Sequence, residues 1–349
     1  MIFNIFEDCG NRVRGTVIPD NYSGICQIRV SAGDREIAVF PTNEFNPGAL
    51  AQGLHETGFV DFTITEDSLP GLSALADLQI HEAGTGFLLY RRFRPSMLTG
   101  KYLRLETHLL PLWRFDDAVE PRFQQHYRGV ERLGFYGSRQ IFHLSQGSIY
   151  ASGRLQIKNF MFCVDNGFKF LAVLHEPYEE LAERVLVLKS IKNVGMDFLA
   201  EREALHLRKA VEYAAALPIA SEKALQKALE QMPAELLLAL ANPVVRQFST
   251  FQLEEPPPKN GVAQALDILA QSAVIGLRSE PELFAHSLGA LLNVSPSSLP
   301  IPPRSPKVVE LAEMFRRWRF LEVILEKDLE LYSLVADAHR KARTSDAKC

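Results

Sequence analysis

Two short stretches of this sequence carry residue types suited to chemistry on an anionic ligand. The first, LSQGSIYASGR, holds Ser145, Gln146, Gly147, Ser148, Ser152 and Arg154. A glycine there permits close backbone approach, the hydroxyls donate hydrogen bonds, and Arg154 offers a planar fork that matches phosphate or sulfate. The second, LAVLHEPYEELAER, passes from an apolar run through His175, Glu176 and Pro177 to Arg184. His175 can serve as acid, base or donor near neutral pH, and Glu176 is a second candidate base. Helix-start physics accounts for the same corner: Pro177 suits the first helical position, Glu176 a cap, and Glu179, Glu180 and Glu183 a helix N-terminus.

For these stretches to meet, the chain must place them at one edge of a sheet. In open α/β sheets ligands bind outside the carboxyl ends of the strands. RQIFHLSQG is therefore expected as a first parallel strand that ends at Ser145–Gly147, and FKFLAVL as a later one that ends at His175. Apolar residues at Tyr178, Leu181, Ala182, Val185, Leu188 and Ile191 have helical spacing. Continuous apolar strands alternating with helices are the signature of a parallel sheet covered on both faces. The section Leu109 to Gly134 is expected to be mostly helical, as is Asp197 to Ala241. EEPPPKNG and VSPSSLPIPPRSPK are too rich in proline for helix interiors. The closing VVELAEMFRRWRFLEVILEKDLELYSLVADAHRKA reads as one long helix.

Before Arg92 the texture differs. CQIRV and VDFTI alternate apolar and polar residues between turn signals, the pattern of half-buried strands, so residues 1–96 are expected to form a small antiparallel β-sandwich serving as scaffold or recognition module. The Pro- and Gly-containing RRFRPSMLTGKY marks the boundary to an α/β domain at 97–349.

With 47% hydrophobic and 23% charged residues and a formal net charge of -4, the chain is not a polycation built for nucleic acid. Cys9, Cys26, Cys163 and Cys349 form no CxxC pair or disulfide-like framework, which fits reduced thiols and a cytoplasmic location. No apolar run approaches the length of a transmembrane helix, and the start lacks the features of a signal peptide. Nine histidines without HxxxH or HxH spacing argue against a metal enzyme. GxxxxGK[ST] is absent, which argues against a nucleotide triphosphatase.

The order of segments from Gln140 to Val335 resembles sulfotransferases of the polysaccharide and glycosaminoglycan type, which use 3′-phosphoadenosine 5′-phosphosulfate. His175-Glu176-Pro177 sits like that family's Arg-Asp-Pro corner, beside which the 3′-phosphate is held. ANPVVRQFS resembles its Asn-x-x-x-Arg-x-x-Ser segment, SAVIGLRSEPELF its Val-Gly-Leu-x-Glu strand and helix, and EKDLELYSLV its closing Asp-x-x-Leu-Tyr helix. The resemblance implies a P-loop-like parallel-sheet fold, a carbohydrate acceptor, and Asn242 and Arg246 beside the cofactor. Against it, Leu-Ser-Gln-Gly-Ser stands where catalytic members carry Pro-Lys-x-Gly-x-Thr, and His175 replaces the corner arginine. A non-catalytic binding or assembly factor in surface polysaccharide production and a nucleotide-sugar glycosyltransferase are the alternatives, and a homo-oligomer is compatible with all three.

Overall fold

The computed structural model describes residues 1–346. Thirteen strands occur among them: β1 Ile2–Asp8, β2 Arg12–Ile18, β3 Gln27–Ala32, β4 Arg35–Pro41, β5 Glu44–Phe45, β6 Phe59–Thr65, β7 Leu78–Glu82, β8 Leu88–Arg91, β9 Gly100–Leu105, β10 Gln125–Arg128, β11 Ser148–Gly153, β12 Phe168–Leu174 and β13 Ser272–Leu277. The chain divides into two compact units, Met1–Lys101 with Glu120–Tyr127 and Phe135–Tyr150, and Tyr102–Val119 with Arg128–Gly134 and everything from Ala151. The first unit thus takes in Met97–Lys101 and two further segments from beyond residue 96.

In the first unit two antiparallel sheets have the orders β1-β2-β6-β5 and β4-β3-β7-β8. The alternation in the sequence has its expected outcome. Ile28 and Val30 on β3, and Val60, Phe62 and Ile64 on β6, are buried, and along β6 every intervening residue is more exposed.

A five-stranded parallel sheet has the order β10-β11-β9-β12-β13. Backbone bonds from Gly100 N to Gly147 O (2.7 Å) and from Glu106 N to Gly153 O (2.9 Å) bracket β9 and β11 in the same sense. The chain leaves β9 for the β10 side, returns through β11, and crosses β9 to reach β12 and β13. Strand order therefore reverses at β9, and the crevice at such a switch point is where open α/β sheets take ligands.

Three expectations need correction. RQIFHLSQG is not a strand: Arg139–His143 finishes the helix Gly134–His143, whose buried Ser138, Ile141 and Phe142 have helical spacing. A short apolar run fits either element, and here tertiary burial selects the helix. The real first strand, β9, lies inside the supposed boundary region. Its fully buried Arg104 interrupts the apolar run that would have marked a central strand. The closing helix is three helices, Pro306–Phe315, Arg319–Ile324 and Glu326–Asp346. The chain turns extended at Trp318 (φ -103°, ψ 101°), whose ring packs 5.2 Å from that of Phe315.

The helix expected after His175 forms as Pro177–Val194. Its Leu181, Val185, Leu188 and Ile191 are buried with Leu207, Val211, Leu311 and Phe315 of the neighbouring helices Glu201–Ala215 and Pro306–Phe315. That apolar stripe fixes the rotation of the helix, and so determines which first-turn side chains face the sheet edge. No helix of the described residues is long and apolar enough to cross a membrane.

Candidate functional site at the carboxyl edge of the parallel sheet

Residues Arg104, Glu106 and His108 alternate along β9 and its extension, so they share one side of the extended chain. Arg104 Nη1 donates to Glu106 Oε2 (2.7 Å) and Nη2 to Asp116 Oδ2 (2.9 Å). Leu112 N donates to the same Glu106 oxygen at 2.9 Å. Burial would raise the pKa of Glu106, but the Arg104 guanidinium and His108 hold it well below the usual carboxylate range. The other oxygen, Oε1, lies 3.0 Å from His108 Nδ1. An ionised carboxylate at Nδ1 assigns the ring proton there and leaves a lone pair on Nε2. That Nε2 is buried without a hydrogen-bond partner. Thr107 donates to Val173 O and ties this loop to the adjacent β12.

At the end of β12 the corner is built as the sequence indicates: Glu176 caps the helix by accepting from Glu179 N at 3.0 Å, and Pro177 opens it. His175 is only 5% exposed, and its ring meets that of His108 edge to face, 4.1 Å between centroids. Its Nδ1 lies 3.3 Å from Glu180 Oε2, yet neither ring nitrogen has a hydrogen bond of acceptable geometry, and neither does that oxygen. Burial first, then the charge of Arg278, pushes the His175 pKa down to about 3. Burial and the neighbouring His175 take His108 to about 4. Both rings are neutral at physiological pH.

Around them the charges alternate. Glu180 Oε1 accepts from Arg184 at 3.0 Å. Arg304, from the second Pro-rich loop, donates to Glu179 at 2.6 Å. Glu183 follows one turn after Glu180, and burial together with the Glu180 charge pushes it up to about 8. One atom each of His175, Glu180 and Glu183 lie within 4.8 Å of one another. Arg278 leaves β13 with its backbone N on Leu174 O (2.8 Å), and its Nε and Nη1 are buried without partners.

The residues singled out in the sequence scatter. Ser145, Gln146 and Gly147 precede β11 at its amino end, whereas Gly153 and Arg154 leave its carboxyl end. Ser145 and Gly147 are exposed, and Gln146 donates to Ile5 O at 3.3 Å. Ser148 donates to Leu98 O and accepts from Gln124 N at 2.9 Å, and Ser152 donates to Asp116 at 3.2 Å. The anion fork expected of Arg154 is already engaged: its nitrogens meet Glu203 (2.8 and 2.9 Å), Leu109 O (2.9 Å) and Phe198 O (3.1 Å). Burial would lower its pKa, but Glu203 and Glu131 raise it above its ordinary value. Arg154 therefore braces the loop that carries His108.

Asn242, in a left-handed conformation (φ 43°), accepts from Lys327 N (2.9 Å) and Asp328 N (3.0 Å). Asp328 in return accepts from Val244 N (3.1 Å) and Val245 N (2.7 Å), so two helices cap each other. Arg246 is buried in the helix Pro243–Ser249 and donates to Leu238 O; burial, then the charge of Arg184, lowers it to about 10. His143, inside the expected strand RQIFHLSQG, is exposed at the end of its helix.

Of the sequence candidates, His175, Glu176 and Arg184 lie at this edge, joined by Glu106, His108, Glu180, Glu183 and Arg278. The Arg-x-Glu-x-His alternation of YLRLETH was the signal for two of these. His175, Glu180 and Glu183 have the spacing His-x4-Glu-x2-Glu, which is neither HxxxH nor HxH. Compared with protein-family models, curated proteins and solved structures, the chain matches none significantly.

Proposed function

We propose that the second unit is a group transferase that moves a sulfuryl group from 3′-phosphoadenosine 5′-phosphosulfate to a carbohydrate hydroxyl, with His108 as base and Arg278 as anion ligand. One observation carries this reading. His108 holds its Nδ1 proton on Glu106 and presents an unpaired, buried Nε2 beside His175, at the strand-order reversal, and one strand beyond His175 the guanidinium of Arg278 has two unpaired nitrogens. A carboxylate-oriented imidazole with a free lone pair can take the proton of an attacking hydroxyl. The acceptor oxygen forms the new S–O bond as that proton passes to Nε2. The bond to the bridging phosphate oxygen breaks, and the leaving phosphate keeps the electron pair beside a cation. Glu106 stabilises the imidazolium until it is reset.

A second reading, a binding factor without turnover, is favoured by Glu179, Glu180 and Glu183 at the helix start, where carboxylates oppose a 3′-phosphate. Calorimetric titration with adenosine 3′,5′-bisphosphate, followed by transfer of labelled sulfate to a panel of polysaccharides, separates the two. The transferase reading expects micromolar binding that Arg278→Met abolishes, and transfer that His108→Asn abolishes while binding persists. Absence of binding at millimolar nucleotide removes it.

A further inference from the structure

We infer that His175, Glu180 and Glu183 form a divalent-cation site for a transition ion of the Zn2+ or Mn2+ kind. The inference is independent of the transferase reading, since it uses none of the side chains assigned to base or anion ligand there.

Three ligand atoms, an imidazole nitrogen and two carboxylate oxygens, fall within 4.8 Å of one another, and small side-chain rotations would bring each to the about 2.0–2.2 Å it keeps from a shared ion. An acidic cluster alone would mean little, but the ligand atoms here are unsatisfied. His175 is 5% exposed with both ring nitrogens lacking partners, and Glu180 is 1% exposed with Oε2 lacking one. Buried polar atoms of this kind are uncommon and call for a partner. Neutral His175 has a lone pair to give.

Helix geometry supplies the rest. Glu180 and Glu183 stand three residues apart on Pro177–Val194 and so share a face, and His175 ends β12 just before that helix, so one rigid corner carries all three. Arg184 pairs with Glu180 through Oε1 alone and the charge of Arg278 acts on Glu183, which leaves Glu180 Oε2 without a partner. A dication at Oε2 would supply one. Mixed nitrogen and oxygen donors suit Zn2+ or Mn2+ better than Mg2+ or Ca2+, which prefer oxygen alone. Three protein ligands leave a further position for water, the pattern of a reactive rather than a closed structural ion.

The test uses the full chain, stripped with chelator and dialysed against Zn2+ or Mn2+, with bound metal counted by mass spectrometry and affinity read by calorimetry. Expected is one equivalent per chain in the wild type. Glu183→Gln, which leaves the Glu180–Arg184 pair intact, should weaken binding by more than the about 10–100-fold that loss of an outer partner costs. His175→Ala should do the same, and Glu176→Gln should leave it unchanged. A Co2+-loaded protein should show visible ligand-field bands that disappear in Glu183→Gln. No stoichiometric ion at millimolar concentration in the wild type, or binding unaffected by both ligand substitutions, overturns the site.

Discussion

Replacing Arg154 by methionine separates a structural arginine from an anion ligand. In the folded chain its guanidinium meets both oxygens of Glu203 and the carbonyls of Leu109 and Phe198, with Glu131 at 3.7 Å. The side chains of Arg154, Glu203 and Glu131 are 9%, 12% and 8% exposed, so the substitution strands two carboxylates that little water can reach. Removing one partner of a buried ion pair costs about 3–5 kcal/mol. We expect that loss in urea denaturation followed by circular dichroism. Arg154→Lys should fall between, because an ammonium keeps the charge but not the fork. Adding Glu203→Gln to Arg154→Met should recover part of the loss, with a coupling of about 1–3 kcal/mol in the double-mutant cycle. A loss below about 1 kcal/mol, or strictly additive substitutions, would refute the reasoning.

Acid should destabilise the protein through His108 and His175. Their folded values, about 4 and about 3, lie below the unfolded value of about 6.5, so the unfolded chain binds more protons in that window. Their contribution is complete above about pH 6.5 and falls on acidification, by about 2 kcal/mol per histidine between pH 6.5 and 5. Glu183, pushed up to about 8, acts in the opposite sense, its contribution being lost as pH rises towards 8. The pH slope of wild type is therefore to be compared with that of His108→Asn/His175→Asn, and identical slopes would contradict the assignment. Asp328→Ala should cost about 2–4 kcal/mol in thermal or urea unfolding, since it strands the buried Val244 and Val245 N–H groups; Asn242→Ala added to it should cost less than the sum. Gly147→Ala should be silent, since a methyl there meets nothing within 4 Å. Gly153→Ala should be clearly destabilising, since its methyl would lie 2.2 Å from Glu131 Oε2 and 3.0 Å from Val130 N. Equal melting temperatures for the two glycine variants would show the packing at Gly153 to be wrong.

Local signals were legible and long-range ones were not. Alternation announced β3 and β6, and an uninterrupted apolar run followed by Glu-Pro announced β12 and its helix, because in each the pattern that buries the element is written within it. The central strand β9 was hidden because its burial is polar: Arg104 pairs inside the sheet with Glu106 and Asp116, the latter eleven residues beyond the strand. Trp318 broke a helical pattern with no proline or glycine to announce it. The carboxyl-edge cluster draws on β9, β12, β13 and a Pro-rich loop, and a sequence read segment by segment does not show which ends coincide. His175 was legible as a strand-end residue; its partner His108 required the sheet order.

The most direct measurement is a crystal structure of the full chain grown with millimolar adenosine 3′,5′-bisphosphate. The account predicts a phosphate within hydrogen-bond reach of Arg278 at the carboxyl edge of the sheet. Nucleotide at the amino end of β11 beside Ser145–Gly147, or no nucleotide at all, would contradict it.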